Sequence, residues 1–267
     1  MRCRLPGKCA GTQARTMPII EQLMPPHRHH VIPFGGMLGE LLGKDKPSLL
    51  ETVNDRNRLA VNFYMTLKYD VDALIDRLMA DPYSQSFFRA AKELLASGNG
   101  SSLDLAEAYA LVANQSRGNA DPTTPGISWS VNYKAAKNTR RWEHIDRTLR
   151  IVSQRLRPVQ ILDAWPWEKV LECYGKHKDV LLTIDPPYHP DTLRSETKMY
   201  RHTMTSADHE RLLIRLHQLK AAWMLFGYDN ELYRHYLPEP ALRLDQPISI
   251  SAAAKKPRCE KCIWVRY

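Results

Sequence analysis

The sequence predicts an α/β fold built on a mostly parallel β-sheet. From Val31 onwards, short apolar runs alternate with segments of helical periodicity, which is the pattern of repeated strand–helix units. Of the 267 residues, 43% are hydrophobic and 25% are charged, so the chain can bury an ordinary core and is neither disordered nor fibrous. Its length suits one large domain, or a catalytic domain that carries a smaller insert.

The first half of the chain combines strand candidates with a long helical region. Candidate strands lie at residues 31–34 and 48–53, and helical periodicity covers residues 57–68 and 71–115, after a short amphipathic stretch at residues 18–24. Residues 114–129 are dense in turn formers, and residues 134–157 are strongly basic. We therefore predict that residues 69–157 form a helical insert between residues 1–68 and 158–267, which together form the catalytic domain.

The strand–helix pattern returns in the second half. Candidate strands lie at residues 158–162, 180–184, 223–226 and 263–267, with a helix at residues 206–220. The longest apolar runs, such as residues 180–184, are far shorter than the roughly 18 residues that a membrane-spanning helix needs. We expect no membrane association.

The charge balance favours a polyanionic partner. Lys and Arg number 38 against 29 Asp and Glu, which gives a formal net charge of +9. Clustered cations gain affinity for phosphate backbones by releasing condensed counterions. The basic run at residues 134–157 has the composition of a nucleic-acid contact, although a solvated helix face has the same composition.

Cysteine and histidine usage indicates a cytoplasmic protein without a metal. The five cysteines are an odd number with no secretory leader, which fits a reducing compartment. Cys259 and Cys262 form a C-x-x-C pair that could bind zinc, but without a second pair incidental thiols are the favoured interpretation. The histidines at residues 27–30 lack companion ligands, so we interpret them as a solvated basic turn.

The segment most informative about function is the apolar run at residues 180–184, which leads into Asp185-Pro186-Pro187-Tyr188. A buried parallel strand would deliver this tetrapeptide to its carboxyl end, where ligands bind in open α/β sheets. A plain strand-to-loop stop would explain the prolines alone. It would not explain why they stand between an acid and an aromatic side chain.

The chemistry of an exocyclic amine accounts for each residue of the tetrapeptide. The Asp185 carboxylate can accept one N–H of the amine and the Pro186 carbonyl the other, which aims the nitrogen lone pair at an electrophile. Pro187 helps to fix the backbone because proline restricts φ. Tyr188 offers a flat face on which a flipped-out base can stack.

Asp185-Pro186-Pro187-Tyr188 resembles the catalytic motif of Dam-type (class alpha) DNA adenine-N6 methyltransferases of the short phage and bacterial type. Further similarity follows in family order: Pro33-Phe34-Gly35-Gly36, Asn54-Asp55, the basic insert, the residues at 200–205, Asp208-His209, and the residues at 227–233. The resemblance implies a Rossmann-like sheet, an inserted target-recognition module, the cofactor S-adenosyl-L-methionine and double-stranded DNA as partner of a monomer. No metal is implied.

Cofactor contacts are expected on both sides of the insert. Two glycines allow close backbone approach to a ligand, and an acid about 20 residues further on can bind ribose hydroxyls. Asp163 and Trp167 lie where the family contacts the cofactor's adenine, and Gly11 stands, by spacing, at its amino-terminal glycine element. The cofactor candidates are Gly11, Pro33, Phe34, Gly35, Gly36, Asp55, Asp163, Trp167 and Asp185.

DNA contacts are expected from the insert and from the loop after the tetrapeptide, which we expect to close over the target base. The candidates are Arg117, Lys134, Lys137, Arg140, Arg141, Arg194, Lys198 and Tyr200. Asn114, Gln115 and Ser116 are chemically suited to reading base edges.

We predict a site-specific DNA adenine methyltransferase with direct methyl transfer. The alternatives are methylation of cytosine N4, an RNA base or a protein glutamine, and a DNA-binding relative with impaired catalysis. The last depends on departures from the family pattern: Ile32 replaces a usual Glu, and Met37 and Leu38 replace small residues.

Overall fold

A computed structural model of the chain describes Leu5 and residues 16–80, 83–117, 121–124, 127–129, 144–193, 201–247 and 258–267. The strands are β1 (His29–Ile32), β2 (Leu50–Val53), β3 (Ser116–Arg117), β4 (Ser128–Trp129), β5 (Gln160–Ile161), β6 (Val180–Ile184), β7 (Ala222–Tyr228), β8 (Leu242–Pro247) and β9 (Arg258–Arg266). The helices are α1 (Met17–Ile20), α2 (Gly39–Leu42), α3 (Arg58–Tyr69), α4 (Val71–Ala80), α5 (Gln85–Ser97), α6 (Ser102–Gln115), α7 (Ile145–Leu156), α8 (Trp167–Tyr174), α9 (Ser206–His217) and α10 (Glu231–Tyr236).

The fold is α/β, with a seven-stranded, mostly parallel sheet in the order β5-β2-β1-β6-β7-β9-β8. The first five strands of this order pair in parallel, whereas β9 pairs antiparallel with both β7 and β8. From β1 the chain moves outward to β2, and β6 lies on the opposite side of β1. The sheet therefore reverses its strand order between β1 and β6, and such a reversal is where α/β proteins bind ligands.

The predicted strands differ from the observed strands mainly at their ends. β6 has the predicted bounds, and all of its residues are buried, as expected for a central parallel strand. β1 ends before Pro33, because proline has no N–H to donate to the next strand. β9 begins five residues earlier than predicted, at Arg258 rather than Ile263, and β8 was not predicted. β5 is shorter than predicted, with only two residues.

Both faces of the central strands are covered. Leu182 and Ile184 belong to a hydrophobic cluster that includes side chains of α8 and α9. Leu181 belongs to a different cluster, with Met17 and Ile20 of α1. Since successive side chains of a strand point to opposite faces, this division shows that helices shield β6 on both sides. No helix in the described part of the chain has the length and apolar character needed to span a membrane.

The helices of the predicted insert share a core with the sheet. α4, α6 and α7 all contact α3 or one another. Their buried side chains form one cluster with Ile32 of β1 and Val53 of β2. The division of the chain into a catalytic domain and residues 69–157 stays a prediction.

The prediction of a solvated turn at residues 27–30 is wrong for residues 29 and 30. His29 and His30 lie in β1, and His30 is completely buried, with its Nε2 atom 2.8 Å from the Thr183 hydroxyl of β6. Burial lowers the pKa of His30 well below its usual value, so the ring is neutral. Among the described residues, no group of three or more His, Cys, Asp or Glu side chains has the arrangement of a metal site. Cys262 is buried in β9, and the side chain of Cys259 lies outside the described part.

Candidate active site

A cavity of about 600 Å³ opens at the carboxyl ends of β1, β2 and β6, where the strand order reverses. Its lining includes most of the described residues that the sequence singles out for the cofactor and for chemistry. These are Pro33, Phe34, Gly35, Gly36, Asp55, Trp167, Asp185, Pro186 and Pro187. The topology therefore brings together segments that are more than 100 residues apart in the chain.

The loop after β1 depends on two glycines for different reasons. A Cβ atom on Gly35 would lie 2.8 Å from Cγ2 of Val53 and 3.0 Å from the Asn54 carbonyl oxygen, so no side chain fits there. Gly36 has a φ of +50° and open space where a Cβ would be, and left-handed φ favours glycine. The Tyr64 hydroxyl donates to the Gly36 carbonyl. The loop is thereby held with its backbone on the cavity wall.

Asp55 is fixed by backbone donors on both of its carboxylate oxygens. Oδ2 accepts the Gly36 N–H at 2.7 Å, and Oδ1 accepts the Asn57 N–H at 2.8 Å. Burial and, as a smaller effect, nearby Asp121 raise the pKa of Asp55 to about 6, although these two hydrogen bonds oppose the shift. Each oxygen can accept a second hydrogen bond, so the carboxylate can still bind ligand hydroxyls.

Asn54 connects three loops of the site, a role that the sequence does not reveal. Its Nδ2 atom donates to the Pro33 carbonyl at 3.0 Å and to the Trp165 carbonyl at 3.0 Å, and its Oδ1 atom accepts the Trp165 N–H at 2.9 Å. Ala164, next to this contact, has a φ of +51°. The side chain of Asn54 therefore holds the loops after β1 and β5 together.

The loop after β5 supplies aromatic side chains to the cavity. Trp165 and Trp167 both line it, and the Lys169 ammonium lies 3.8 Å from the Trp165 ring centroid. Asp163, predicted as a cofactor contact, is exposed and is not among the lining residues. The indole rings rather than the Asp163 carboxylate are thus placed to contact a planar ligand.

Asp185 forms an ion pair that the sequence does not predict. The Lys261 ammonium donates to Oδ1 of Asp185 at 3.2 Å and to Oδ2 at 3.4 Å, and it contacts the Tyr188 hydroxyl at 2.9 Å. The side chain of Lys261 is only 1% exposed. Lys261 stands opposite Tyr228 in the β7–β9 pairing, so the antiparallel strand β9 delivers it to the carboxyl end of β6.

Tyr188 has a different environment from the one predicted. It is 6% exposed, its ring packs edge-on against Tyr228 with centroids 4.6 Å apart, and it is not among the residues that line the cavity. Its hydroxyl is in contact with Lys261. The expected open face for a stacked base is therefore absent in this arrangement, and Tyr188 instead supports the Asp185–Lys261 pair.

Glu40 is a second carboxyl group in the cavity wall. It lies in α2, is 3% exposed, and shares a hydrogen bond with Asp185. Burial and, as a smaller effect, the negative charge of Asp185 together raise the pKa of Glu40 to about 8, although Lys261 opposes the shift. No motif includes Glu40. The only sequence signal is a charged residue within the apolar stretch that follows Gly36.

The three residues that depart from the pattern of the resembling family differ in position. Ile32 lies in β1 and is buried in the core. Met37 lines the cavity, and its sulfur accepts a hydrogen bond from the Tyr109 hydroxyl at 3.9 Å. Leu38 is completely buried in the core and has a φ of +58°. Only Met37 can therefore affect the shape of the cavity directly.

Basic side chains surround the entrance. Arg56 donates to the Ala164 carbonyl at 3.2 Å, and Arg201 donates to the Leu95 carbonyl at 3.4 Å. Both line the cavity together with His202, and all three are exposed. A smaller depression beside the entrance is lined by the same three residues and by Arg58. Arg56 and Arg201 thus bring positive charge to the cavity, whereas burial lowers the pKa of His202, and the acidic side chains of Asp121 and Glu168 line the same cavity.

Most predicted DNA contacts cannot be placed. Gly11 and the DNA candidates Lys134, Lys137, Arg140, Arg141, Arg194, Lys198 and Tyr200 lie outside the described residues, as does the side chain of Arg117, whose backbone is in β3. Asn114, Gln115 and Ser116 are buried, so in this arrangement they do not present their side chains to a DNA groove.

No protein-family model matches this chain, and no curated protein matches it. The function must therefore be inferred from the chain's own residues. Those residues place the carboxyl groups of Glu40, Asp55 and Asp185, a glycine loop and two indole rings around one cavity, and Lys261 pairs with Asp185.

Proposed function

We propose that this protein is an S-adenosylmethionine-dependent methyltransferase that acts on the N6 amine of an adenine flipped out of duplex DNA. The observation that carries the proposal is the position of Asp185-Pro186-Pro187. It ends β6 at the reversal of strand order and shares a cavity with the Gly35-Gly36 loop and Asp55. Under this proposal the sheet is a Rossmann-like methyltransferase sheet, and residues 69–157 form the target-recognition module.

The residues of the cavity fit the cofactor. Its volume of about 600 Å³ is within the range of about 300–1,000 Å³ typical of small-molecule sites. Gly36 leaves room for a ligand at the backbone, Asp55 would bind the ribose hydroxyls, and Trp165 and Trp167 would contact the adenine ring. When bound, S-adenosylmethionine supplies an electrophilic methyl group.

The chain's own residues orient the target amine. The Asp185 carboxylate accepts one N–H of the amine, and the Pro186 carbonyl accepts the other, which directs the nitrogen lone pair towards the methyl donor. Both residues line the cavity, and the flanking prolines restrict the backbone that carries the carbonyl. Transfer is direct, and no covalent intermediate on the protein is required.

The charge of the molecule favours a nucleic-acid substrate. The net charge is +9, and Arg56, Arg201 and His202 stand at the cavity entrance. Methylation of a base in a duplex requires the base to leave the stack, so the phosphates on either side must be held near the opening. The described basic residues are suited to that contact.

The proposal is tested by incubating the full chain with S-adenosylmethionine and unmethylated duplex DNA. The expected product is N6-methyladenine in one sequence context, detected by modification-sensitive sequencing. Calorimetric titration with S-adenosylmethionine gives an independent measurement. Methyl groups found only on cytosine N4, RNA or protein would contradict the assignment of substrate.

A second function, DNA binding without methyl transfer, is favoured by one observation. Lys261 neutralises the Asp185 carboxylate on which the transfer depends. A chain that binds duplex DNA but neither binds S-adenosylmethionine at millimolar concentration nor methylates DNA would support this function instead.

The cofactor affinity should depend on pH through Asp55. Its pKa is about 6, so below this pH the carboxyl is protonated and loses its charge-assisted hydrogen bonds to the ribose. We expect the affinity for S-adenosylmethionine to rise by up to about tenfold from roughly pH 5 to 7, which one ionisation centred near pH 6 allows. Calorimetry across this range measures the effect. Asp55→Asn should show a flat profile, and a flat profile in the wild-type protein would contradict the role of Asp55.

A further inference from the structure

Asp185 belongs to a buried group of three ionisable side chains from three elements. Glu40 comes from α2, Asp185 from the end of β6 and Lys261 from β9. Lys261 donates to both Asp185 oxygens at 3.2 and 3.4 Å, and Glu40 shares a hydrogen bond with Asp185. A hydrogen bond between two carboxyl groups needs a proton on one of them. The Lys261 ammonium lies against both oxygens of Asp185, and burial raises the pKa of Glu40, so we assign the shared proton to Glu40.

This arrangement creates an electrostatic problem for methylation. The target nitrogen becomes positive as the methyl group is transferred, and it must then lose a proton. With Asp185 paired to Lys261 and Glu40 protonated, the group of three has a net charge of zero. It therefore offers little stabilisation to a developing cation. When Glu40 ionises, the net charge becomes −1 and the stabilisation returns.

We propose that Glu40 is the catalytic proton acceptor for the target amine and that Lys261 is a positioning residue for Asp185 and Tyr188. This inference depends on the proposed methyl transfer. Glu40 lines the same cavity as Asp185 and Pro186, so a bound amine can reach it. Lys261 holds the ionised Asp185 in place through both carboxylate oxygens and fixes the Tyr188 hydroxyl at 2.9 Å.

The amine lone pair forms the new N–C bond, and the electron pair of the broken S–C bond goes to the sulfur of the methyl donor. The resulting positive nitrogen breaks one N–H bond and keeps its electron pair. The ionised Glu40 carboxylate accepts that proton and releases it to solvent before the next turnover.

Several charged groups surround Glu40 and must be considered in its titration. Asp185 raises the pKa of Glu40, and Lys261 lowers it. The nearby tyrosines are Tyr188, which contacts Lys261, and Tyr233, whose pKa is raised by burial and by Asp185. The other charged or titratable residues of the cavity wall are Asp55, Arg56, Tyr109, Asp121, Glu168, Arg201, His202 and Asp208.

The experiment compares pH–rate profiles of methyl transfer for the wild-type chain and Glu40→Gln, at saturating S-adenosylmethionine and DNA. The wild-type kcat should rise about tenfold per pH unit at low pH and level off above the pKa that Glu40 has in the complex with both substrates, whereas kcat/KM should level off above about pH 8, the pKa of Glu40 in the free chain. Glu40→Gln should lose on the order of 10²-fold in kcat at the plateau, with little change in KM, and should lose this rise. Glu172→Gln, an exposed change on α8, is the control and should match the wild type.

The positioning role of Lys261 is tested by comparing the pH–rate profiles of two Lys261 variants. Lys261→Arg should keep most of the activity, whereas Lys261→Met should lower kcat and shift the wild-type rise to higher pH, because removing a cation raises the pKa of Glu40. If Lys261 serves only to stabilise the fold, Lys261→Met will lower the amount of folded protein and leave the kcat of the folded fraction at the high-pH plateau unchanged.

Thermal unfolding tests the titration without any methyl transfer. The folded-state pKa of Glu40 is about 8, above its usual value of 4.5, so the folded state keeps a proton that the unfolded chain has released. The stability of the wild-type chain should therefore fall relative to Glu40→Gln as pH rises from about 5 to about 8. A constant difference between the two chains would overturn the inference.

The possible results distinguish a failure of the role of Glu40 from a failure of the proposed function. A Glu40→Gln chain with the wild-type profile and rate overturns the role of Glu40 and leaves the proposed function standing. A wild-type chain that transfers no methyl group to DNA at any pH overturns the proposed function, and the catalytic role of Glu40 with it.

Discussion

Replacing Asp185 by Ala is expected to lower the rate of methyl transfer by on the order of 10³-fold. In the proposed mechanism this carboxylate orients the target amine, and the loss of one such group from an active site typically costs about 10²–10³-fold. The affinity for DNA should stay within about twofold, because Asp185 is buried at the cavity wall and the basic entrance is unchanged. Single-turnover methylation and a binding titration with fluorescent duplex DNA measure the two effects.

The control for Asp185→Ala must account for the charge that it leaves behind. Lys261 would be buried without its carboxylate partner, and breaking a buried ion pair commonly costs about 3–5 kcal/mol of stability. The double variant Asp185→Ala/Lys261→Met removes both charges and should fold better than the single variant while staying inactive. Asp163→Ala, which changes an exposed carboxylate outside the cavity lining, should keep wild-type activity. An active Asp185→Ala chain would refute the mechanism.

Gly35→Ala should damage both the stability of the protein and its cofactor affinity. The new Cβ would lie 2.8 Å from Cγ2 of Val53 and 3.0 Å from the Asn54 carbonyl oxygen, so the loop after β1 must move. Overpacking of this kind typically costs about 1–3 kcal/mol. A displaced loop also moves the Gly36 N–H away from Asp55, so we expect at least about tenfold weaker binding of S-adenosylmethionine. Urea unfolding and calorimetry measure the two losses.

Gly98→Ala is the matched control for Gly35→Ala. Gly98 ends α5 with a φ of +68° and has no atom within 4 Å of the position of a Cβ, so the change introduces backbone strain but no clash. It should lower the stability by about 1–2 kcal/mol and leave the cofactor affinity unchanged. If both variants bind S-adenosylmethionine as the wild type does, the Gly35 loop is not part of the cofactor site.

The parts of the fold that local sequence determines were predictable. β6 was predicted at its observed bounds because five consecutive apolar or β-branched residues precede an Asp-Pro break. α3 was predicted to within one residue because Leu59, Phe63 and Leu67 recur on one helical face. In the structure the Asn57 side chain caps this helix by accepting the Leu59 N–H. The position of Asp185, Gly35 and Asp55 around one cavity also follows from the rule that parallel strands present their carboxyl ends together.

The residues that the sequence did not reveal act through long-range contacts. Lys261 reaches Asp185 across 76 residues, and only the antiparallel pairing of β9 with β7 brings it there. Glu40 stands in an apolar stretch and has no motif to mark it. His30 belongs to a run of basic and polar residues that suggests a turn, and its burial makes sense only when Thr183 of β6 lies beside it. Such partners are chosen by topology rather than by neighbours in the sequence.

The position of β9 limits the order in which the strands can join the sheet during synthesis. β9 lies between β7 and β8, although both of those strands precede it in the chain. During synthesis β8 can therefore join the sheet only after β9 has left the ribosome, and until then β7 has an unpaired edge. Asp185 likewise waits for Lys261. The nascent chain would thus carry an open sheet edge, and Asp185 would lack its ion pair with Lys261, until β9 docks, which is the stage at which aggregation and chaperone binding are most to be expected.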